Sequence, residues 1–249
     1  MTGHIAGLWR HPIKSHGRET LDSVVLTAGQ TMPWDRVWAV AHERSSADGH
    51  AWAPCANFSI GAKAPGLMAI DARLDQTTRT VHLTHPDRPP LSVRPDDAPD
   101  ELIAWAAPLM PADRLASARV VRVPGRGMTD TAYASVSIGN LASHRAVEAR
   151  IGGPLSACRW RLNIWLDGLD PWAEFDWIGR HLRLGGARLE VVERIRRCRA
   201  TEANPDTGQR DAPTLEVLDQ GWGHRDFGIY ARVTDGGPVG LGDAIEVIG

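Results

Sequence analysis

The chain has 249 residues, of which 43% are apolar and 23% are charged, so it is long enough for one large domain or two modest ones with a buried core. Its formal net charge of -2 at pH 7 gives no overall attraction to nucleic acid or to an anionic membrane surface, so neither is an expected partner. No stretch approaches the ~20 consecutive apolar residues that cross a bilayer, so no membrane span is expected.

The first half of the chain reads as short strands separated by turns. We predict strands at residues 4–10, 23–26, 37–42, 67–71, 80–84 and 90–93. Many short strands at close spacing favour a β-barrel or a sandwich over a parallel sheet. Residues 86–99 are rich in proline and aspartate, and Pro99 suits the first position of a helix that reaches residue 107. We therefore expect an N-terminal β region at residues 1–95 and a second domain at residues 110–249.

The second half adds two helices to a further set of strands. Ser137 is the expected N-cap of a helix that ends at Gly152, and a short helix starts near Pro213 and ends at Leu218. Gly185 and Gly186 join two strands as a hairpin, and residues 236–238 form a turn. The predicted strands are residues 120–123, 161–167, 181–184, 187–195, 227–234 and 244–248. The expected fold class is α+β, mainly β with some helix.

The three cysteines, Cys55, Cys158 and Cys198, lie far apart and lack metal-ligand spacing such as C-x-x-C. This pattern argues against a structural zinc site, and the odd count argues against a disulfide scaffold. Residues 1–10 show no basic segment followed by a long apolar run, so we expect no secretory signal and a reducing, cytoplasmic environment.

Cys198 stands out because it follows a predicted strand and has Arg196, Arg197 and Arg199 around it. Neighbouring cations favour the thiolate form of a cysteine, which is the form that acts as a nucleophile or a metal ligand. Residues 204–208, which follow shortly after, are a run of turn formers. The alternative interpretation is that Cys198 is a small buried apolar residue with solvated arginines beside it.

Five motifs along the chain together resemble one known family. They are L-W-R-H-P-I-K-S at 8–15, L-T with D-R-V-W at 26–38, R-W-R-L-N-I at 159–164, P-W-A-E-F-D-W at 171–177 and R-C-R-A-T-E-A-N-P-D-T-G at 197–208. In type and order they are similar to those of the MOSC family, named after the C-terminal domain of molybdenum cofactor sulfurase. The resemblance covers nearly the whole chain. It implies a MOSC-type β-barrel with an associated N-terminal β-barrel region.

The resemblance also implies a molybdenum cofactor, a pterin that chelates the metal through two sulfurs and carries a phosphate. Cys198 would be the protein ligand to molybdenum and the catalytic residue. Lysine, serine and arginine side chains suit phosphate oxygens, and an asparagine suits the edge of a pterin. The implied cofactor-binding residues are Lys14, Ser15, Arg36, Arg161, Asn163 and Arg197, with Thr201 and Asp206 shaping the cysteine loop.

The implied activity is that of the MOSC reductases, which include the mitochondrial amidoxime-reducing component and a bacterial relative that acts on N-hydroxylated bases. These enzymes remove oxygen from N-hydroxylated compounds or N-oxides in a two-electron reduction. The chain lacks the four clustered cysteines of an iron–sulfur domain and the glycine fingerprint of a dinucleotide-binding fold. Electrons are therefore expected from a separate ferredoxin-, flavin- or cytochrome-type protein.

The chain departs from the family pattern at three positions. Ile195 stands where a second cysteine is frequent, Leu162 replaces a proline, and Asn204 replaces an aspartate. Alternatives to the reductase are a persulfide carrier that uses Cys198, a non-catalytic carrier of the cofactor, and a plain interaction domain with Cys198 buried. His16 and His224 are expected to be ordinary surface histidines.

Overall fold

The computed structural model describes residues 3–248, which contain fifteen β-strands, three α-helices and several short 3-10 helices. The α-helices are α1 Pro99–Ala106, α2 Leu141–Ile151 and α3 Thr214–Trp222. The strands are β1 His4–Arg10, β2 Glu19–Leu21, β3 Ser23–Leu26, β4 Trp38–His42, β5 Asp71–Asp75, β6 Thr80–His85, β7 Arg88–Val93, β8 Ser117–Arg122, β9 Val136–Asn140, β10 Ile164–Asp167, β11 His181–Leu184, β12 Ala187–Arg196, β13 Asp226–Asp235, β14 Gly237–Gly240 and β15 Ile245–Ile248. The α+β class, mainly β, is confirmed.

The largest sheet has eight strands in the order β15-β11-β12-β13-β9-β10-β1-β2. Only β9 and β10 are parallel, and the other neighbours are antiparallel. Hydrogen bonds from Ile5 N to Asp243 O and from Ile245 N to Gly3 O, each 2.9 Å long, join β1 to the chain that enters β15. Because β1 and β15 lie near opposite ends of the strand order, these bonds close the sheet into a barrel.

The barrel encloses an apolar core that follows from the period-two pattern of its strands. On β13, for example, Ile229, Ala231 and Val233 are buried, whereas Arg232 and Thr234 are exposed. The inward side chains of neighbouring strands, such as Leu189 and Ile138, join the same cluster. Burial of each large aliphatic side chain contributes roughly 1.5–3 kcal/mol. Because side chains fill the interior of the barrel, a ligand site is expected at the strand ends and not inside the barrel.

Apart from β3, which pairs with β14, the remaining N-terminal strands form two small sheets, β4 with β8 and β5-β6-β7. All five residues of β4 are buried, as its apolar residues on both faces predict. Trp38 and Trp105 belong to the core beneath these sheets, and α1 packs there through Leu102. A parallel bridge between Ile13 and Trp38 ties this region to the chain that leaves the barrel strand β1.

A layer of helices and aromatic side chains covers one side of the barrel. Trp160 stacks on Phe227 with 3.8 Å between ring centroids and 8° between ring planes. Such a pair adds about 0.5–1.5 kcal/mol beyond the burial of its area. Val147 of α2 and Leu218 of α3 are buried in the same cluster. None of the helices in residues 3–248 is long and apolar enough to cross a membrane.

Three local predictions are wrong. Residues 67–71 are not a strand: Pro65 starts a 3-10 helix, and the apolar run from Leu67 is buried by tertiary packing instead. Ser137 lies within β9 and does not cap α2; the cap is Asn140, whose Oδ1 accepts a hydrogen bond of 2.9 Å from the Ala142 amide.

The third correction concerns the predicted turn at residues 236–238. Residues Gly237–Gly240 form β14, which pairs with β3 through Val25 and Pro238. Proline is tolerated there because β14 is an edge strand, where one amide is free of the ladder. The predicted hairpin of β11 and β12 across Gly185 is confirmed.

Candidate functional site

Cys198 follows the end of β12 and is exposed to solvent, so the interpretation of this residue as a buried apolar side chain is wrong. The next residues form a 3-10 helix, Arg199–Glu202. Thr201 Oγ1 donates to the carbonyl of Cys198 at 3.1 Å and lies 2.7 Å from Thr214 Oγ1. Thr201 therefore fixes the backbone that carries the thiol.

Cys198 opens onto a cavity of about 620 Å³ that lies between the N-terminal region and the barrel. Six of the predicted site residues line it. They are Lys14, Ser15, Arg36, Arg161, Arg197 and Cys198. Residues separated by as many as 184 positions in sequence thus meet at one site, because β1 ends and β4 begins beside the chain that enters β10 and leaves β12.

The lining of the cavity is strongly cationic, although the whole chain has a net charge of -2. Two carboxylates, Asp130 and Glu193, also face it. The seven basic residues of the lining are Lys14, Arg36, Arg159, Arg161, Arg194, Arg196 and Arg197. Low-dielectric walls of one sign of charge concentrate an oppositely charged ligand, so the cavity suits an anion.

Three of the predicted residues have backbone conformations that L-amino acids seldom adopt. The φ angles of Ser15, Arg36 and Arg161 are 62°, 53° and 50°. Each left-handed residue of this kind costs roughly 1–3 kcal/mol and persists only where the surrounding structure holds it. Such residues cluster at ligand sites, which agrees with the position of all three on one cavity.

A buried network orients Arg36. Asp35, which is wholly buried, forms an ion pair with Arg36 Nη1 and accepts hydrogen bonds from the amide and Nδ1 of His11 at 2.8 and 3.1 Å. Burial alone would raise the pKa of Asp35, but Arg36 and His11 hold this pKa below its ordinary value. The other arm of the guanidinium, Nη2, donates to the Arg161 carbonyl at 2.9 Å.

Arg161 has fewer partners than its burial demands. Its Nη2 donates to the Gly17 carbonyl at 3.1 Å. Burial lowers its pKa to about 9, and the nearby cations Arg36 and Arg18 act in the same direction. Three buried nitrogens of cavity-lining arginines find no hydrogen-bond partner within residues 3–248: Arg159 Nε, Arg161 Nη1 and Arg197 Nε. Unsatisfied donors beside surplus positive charge fit a phosphate-bearing ligand.

Lys14 and Cys55 meet at Asp130. Lys14 Nζ donates to the Met128 carbonyl at 2.8 Å and forms an ion pair with Asp130, whose Oδ1 also accepts from Cys55 Sγ at 3.0 Å. Burial by itself would raise the pKa of Asp130, but the charges of Lys14 and Arg36 outweigh it and lower this pKa. Burial and the Asp130 charge raise the pKa of Cys55 to about 11, so this thiol is protonated at neutral pH.

Both tyrosines of the chain, Tyr133 and Tyr230, also line the cavity. Tyr133 donates its hydroxyl proton to Glu193 at 2.7 Å. Burial raises the pKa of Tyr230, with the Asp130 charge acting in the same direction. Both phenols are therefore neutral hydrogen-bonding groups at physiological pH.

Three predicted site residues lie outside this lining. Asn163 is buried in the barrel wall, where Oδ1 accepts from Ser137 N and Oγ at 3.1 and 2.8 Å and Nδ2 donates to Trp9 O at 3.3 Å. Thr201 is buried beneath the Cys198 loop. Asp206 is 79% exposed and lies 3.8 Å from Arg18. Contact of these three with a cofactor stays a prediction.

His16 is not a surface histidine, because it is fully buried, with Nδ1 2.8 Å from the Lys14 carbonyl. Burial lowers the pKa of His16 to about 4, and Arg161 acts in the same direction. His224 is half-buried, edge-on to the rings of Trp172 and Phe175. Neither residue lines the large cavity.

Four further residues of the cavity lining were not predicted as site residues from the sequence: Cys55, Asp130, Tyr133 and Tyr230. No motif marks Asp130 or Tyr133, which lie on the loop between β8 and β9. For Cys55 the sequence offered no more than its membership in an odd number of cysteines, which does not indicate a site. The alternation of β13 does place Tyr230 on the face away from the barrel core, which was the available signal. No group of three His, Cys, Asp or Glu residues within 3–248 is arranged to hold a metal ion.

Comparison with solved structures gives similar chains at low sequence identity. The YuaD protein from Bacillus subtilis is 14% identical over 99% of this chain and 96% of its own, with a TM-score of 0.49. YiiM from Geobacillus stearothermophilus is 21% identical over 46% and 54% of the two chains, with a TM-score of 0.35. YiiM from Escherichia coli is 17% identical over 51% and 58%, with a TM-score of 0.36. None of the curated proteins compared with the chain matches it.

Family models match both halves of the chain. The model of the MOSC N-terminal beta barrel domain matches residues 2–107, and that of the MOSC domain matches residues 127–246. The second match contains Cys198 and Arg161, and the first contains Lys14 and Arg36, so the cavity lies where the two matched regions meet. The chain belongs to the MOSC family, which is often associated with the molybdenum cofactor.

Proposed function

We propose that this protein binds the molybdenum cofactor and reduces N-hydroxylated compounds or N-oxides, with Cys198 as the protein ligand to molybdenum. The observation that carries the proposal is the cavity itself. It combines an exposed thiol with seven basic side chains and three buried arginine nitrogens that lack partners within the described residues. Thiolate is a ligand for a soft metal centre, and the basic residues suit the cofactor's phosphate.

Lys14, Arg36 and Arg161 would hold the phosphate, because they are basic groups on the lining and each is anchored by hydrogen bonds to the protein. Arg197 would stand between the phosphate and the thiol, since its Nη2 donates to the Trp160 carbonyl one residue before Arg161. When bound, the cofactor supplies the two-electron chemistry that the side chains of the chain cannot perform.

The overall reaction is R–NH–OH + 2e⁻ + 2H⁺ → R–NH₂ + H₂O, and an N-oxide consumes the same electrons and protons. The N–O bond breaks, nitrogen is reduced, and the oxygen leaves as water. The electrons come from a separate electron-transfer protein of the ferredoxin, flavin or cytochrome type. The chain itself binds and orients the reactants, and the protonated Cys55 and Tyr230 remain neutral donors at the cavity wall.

The test is reduction of benzamidoxime to benzamidine, with a chemically reduced viologen dye in place of the physiological donor. The protein is made in a host with intact cofactor synthesis. We expect turnover by the wild type and at least 100-fold slower turnover by Cys198→Ser. Cys158→Ser is the matched control, because Cys158 lies outside the cavity lining, and it should match the wild type. Equal activity of Cys198→Ser and wild type would contradict the proposal.

The exposure of Cys198 also supports a second candidate, a persulfide carrier, because an acceptor protein can reach an exposed thiol. The two candidates differ in the species on the sulfur. A carrier isolated under mild conditions would show a mass increase of one sulfur atom on the Cys198 peptide and no dependence of molybdenum content on this residue.

A further inference from the structure

We infer that residues 60–62 and Ala200 form the wall against which the body of the substrate rests, and that this body is apolar. The inference rests on the proposed function, which it deepens by naming the class of N-hydroxylated substrate. Its basis is one patch of the lining beside Cys198 that carries no charged side chain, in contrast to the lining at Lys14, Arg36 and Arg161.

The lining includes three consecutive residues, Ile60, Gly61 and Ala62, and also Ala200, none of which carries a polar side chain. Elsewhere the lining combines seven basic and two acidic side chains with a few apolar ones such as Trp160 and Leu162. Their proximity to the thiol follows from two observations. Ala200 lies two residues after Cys198, on the 3-10 helix that the cysteine precedes. A Cβ built on Gly61 would lie only 3.7 Å from the Cβ of Ala200, so the segment passes directly beside the cysteine loop.

Arg210 fixes the position of this wall relative to Cys198. Its Nη2 donates to the Ala62 carbonyl at 2.7 Å, and its Nη1 donates to the Arg199 carbonyl at 2.5 Å. One planar guanidinium therefore spans the N-terminal segment and the residue that follows the thiol. Arg18 makes a second connection, to the carbonyls of Met68 at 2.9 Å and Pro205 at 3.2 Å. The gap between wall and thiol is thus held by directional hydrogen bonds.

The wall itself offers no side-chain hydrogen-bonding group, because its side chains are those of isoleucine, alanine and glycine. An apolar group is stabilised there by burial, whereas a charged or strongly polar group would lose water without a replacement partner. The orientation that follows places the N–OH group toward Cys198 and an apolar body, such as an aromatic ring, against Ile60 and Ala62.

The experiment reduces the space beside the wall with Ala62→Leu in the cofactor-loaded protein. Ala56→Leu is the matched control. Ala56 belongs to the same segment, is exposed, and lies outside the cavity lining. Binding of benzamidoxime is measured by calorimetry without an electron donor, and turnover is measured for benzamidoxime and for hydroxylamine, which has no body. Molybdenum content is measured for every variant.

We expect Ala62→Leu to weaken binding and raise KM for benzamidoxime roughly 10-fold or more, because a misfit of methylene size in a pocket costs about 10- to 200-fold. Hydroxylamine turnover and molybdenum content should stay within twofold of the wild type, and Ala56→Leu should change nothing. Unchanged benzamidoxime binding, or equal loss for both compounds at full molybdenum content, would overturn the inference.

Two further measurements distinguish a failure of the wall inference from a loss of cofactor and from a failure of the proposed function. If Ala62→Leu loses molybdenum, Ala62→Val adds less volume at the same position and is expected to show the same selectivity at smaller size. If the molybdenum-loaded wild type reduces neither compound, the proposed function fails, while the calorimetric comparison of Ala62→Leu with Ala56→Leu still decides whether the wall binds an aromatic body.

Discussion

Arg36 Nη2 donates a hydrogen bond of 2.9 Å to the carbonyl oxygen of Arg161, a residue 125 positions later in the chain. The contact joins the buried Arg36 side chain to the backbone of Arg161 at the junction of the two matched regions, and both residues line the same cavity. The Asp35 carboxylate pairs with Arg36, whereas the Arg161 guanidinium has only the backbone carbonyl of Gly17 as a hydrogen-bond partner within residues 3–248. A site of this kind is completed by an anion.

The first prediction concerns this unbalanced charge. Pyrophosphate should raise the Tm of the cofactor-free protein, because a ligand that binds only the folded state stabilises it by about 2.7 kcal/mol at 100 times its Kd. For a domain of this size that corresponds to roughly 5–10 °C. Arg161→Gln should reduce the shift by at least half, as measured by differential scanning fluorimetry.

The control for this measurement is Arg183→Gln, which removes an exposed arginine that pairs with Glu246 and lies outside the cavity lining. Its pyrophosphate shift should equal that of the wild type. An equal shift in Arg161→Gln would show that the anion binds elsewhere, and the absence of any shift in the wild type would contradict the anion site.

The second prediction concerns Cys55, whose pKa is raised to about 11 by burial and by the Asp130 carboxylate. The wild-type Cys55 should react slowly with iodoacetamide at pH 8, because the thiolate is the nucleophile and is scarce there. Asp130→Asn removes the negative neighbour and should speed alkylation of Cys55 several-fold, as read by peptide mass spectrometry. A Cys55 rate that does not depend on Asp130 would disprove the contact; Cys158 provides the internal reference.

The third prediction concerns the buried His16, whose pKa falls from 6.5 to about 4 because burial disfavours its charged form. Between these values the unfolded chain binds a proton that the folded protein does not. The free energy of unfolding should therefore decrease as pH falls from 6.5 toward 4, by about 1.4 kcal/mol per pH unit for this residue. Above pH 6.5 both states are neutral, and the contribution is constant.

His16→Asn keeps a side-chain donor near the Lys14 carbonyl but cannot be protonated. Its free energy of unfolding, from urea titrations at pH 7.0, 6.0, 5.0 and 4.5, should depend less steeply on pH than that of the wild type. The remaining slope includes His11, whose pKa burial lowers to about 3, with Arg161 and Arg36 acting in the same direction. Parallel slopes for the two proteins would contradict a neutral, buried His16.

Much of the barrel could be predicted because its strands alternate cleanly between buried and exposed residues. The hairpin across Gly185 and the pattern of β13 required only period-two reasoning. The strand predicted at residues 67–71 was wrong because an apolar segment that is buried on all sides has no periodic pattern. Pro65 instead starts a 3-10 helix there. The prediction that Ser137 caps a helix was wrong because its hydroxyl donates to Asn163, a residue that only the folded structure brings next to it.

Part of the site could also be predicted, since Lys14, Arg36, Arg161 and Cys198 each lie in a short motif. Their meeting at one cavity depends on long-range pairing of β1 with β10 and on the return of β12 beside them. Asp130, which joins Lys14 to a second thiol, belongs to a loop without a motif and could not be predicted.

Asn163 illustrates the opposite error. It lies in the R-W-R-L-N-I motif, and its amide suits a pterin edge on chemistry alone. In the structure its oxygen accepts from Ser137, and its nitrogen donates to the Trp9 carbonyl. A motif residue can thus support the wall of a site without lining it, and only the hydrogen-bond partners distinguish the two roles.

The most direct test of the central claim is the molybdenum and pterin content of wild type and Cys198→Ser, made in a host with intact cofactor synthesis. Metal is measured by elemental analysis, and pterin by the fluorescence of its oxidised form. We predict near-stoichiometric molybdenum and pterin in the wild type, and loss of molybdenum or altered metal coordination in Cys198→Ser. Wild-type protein without molybdenum and pterin, even after incubation with free cofactor, would contradict the account.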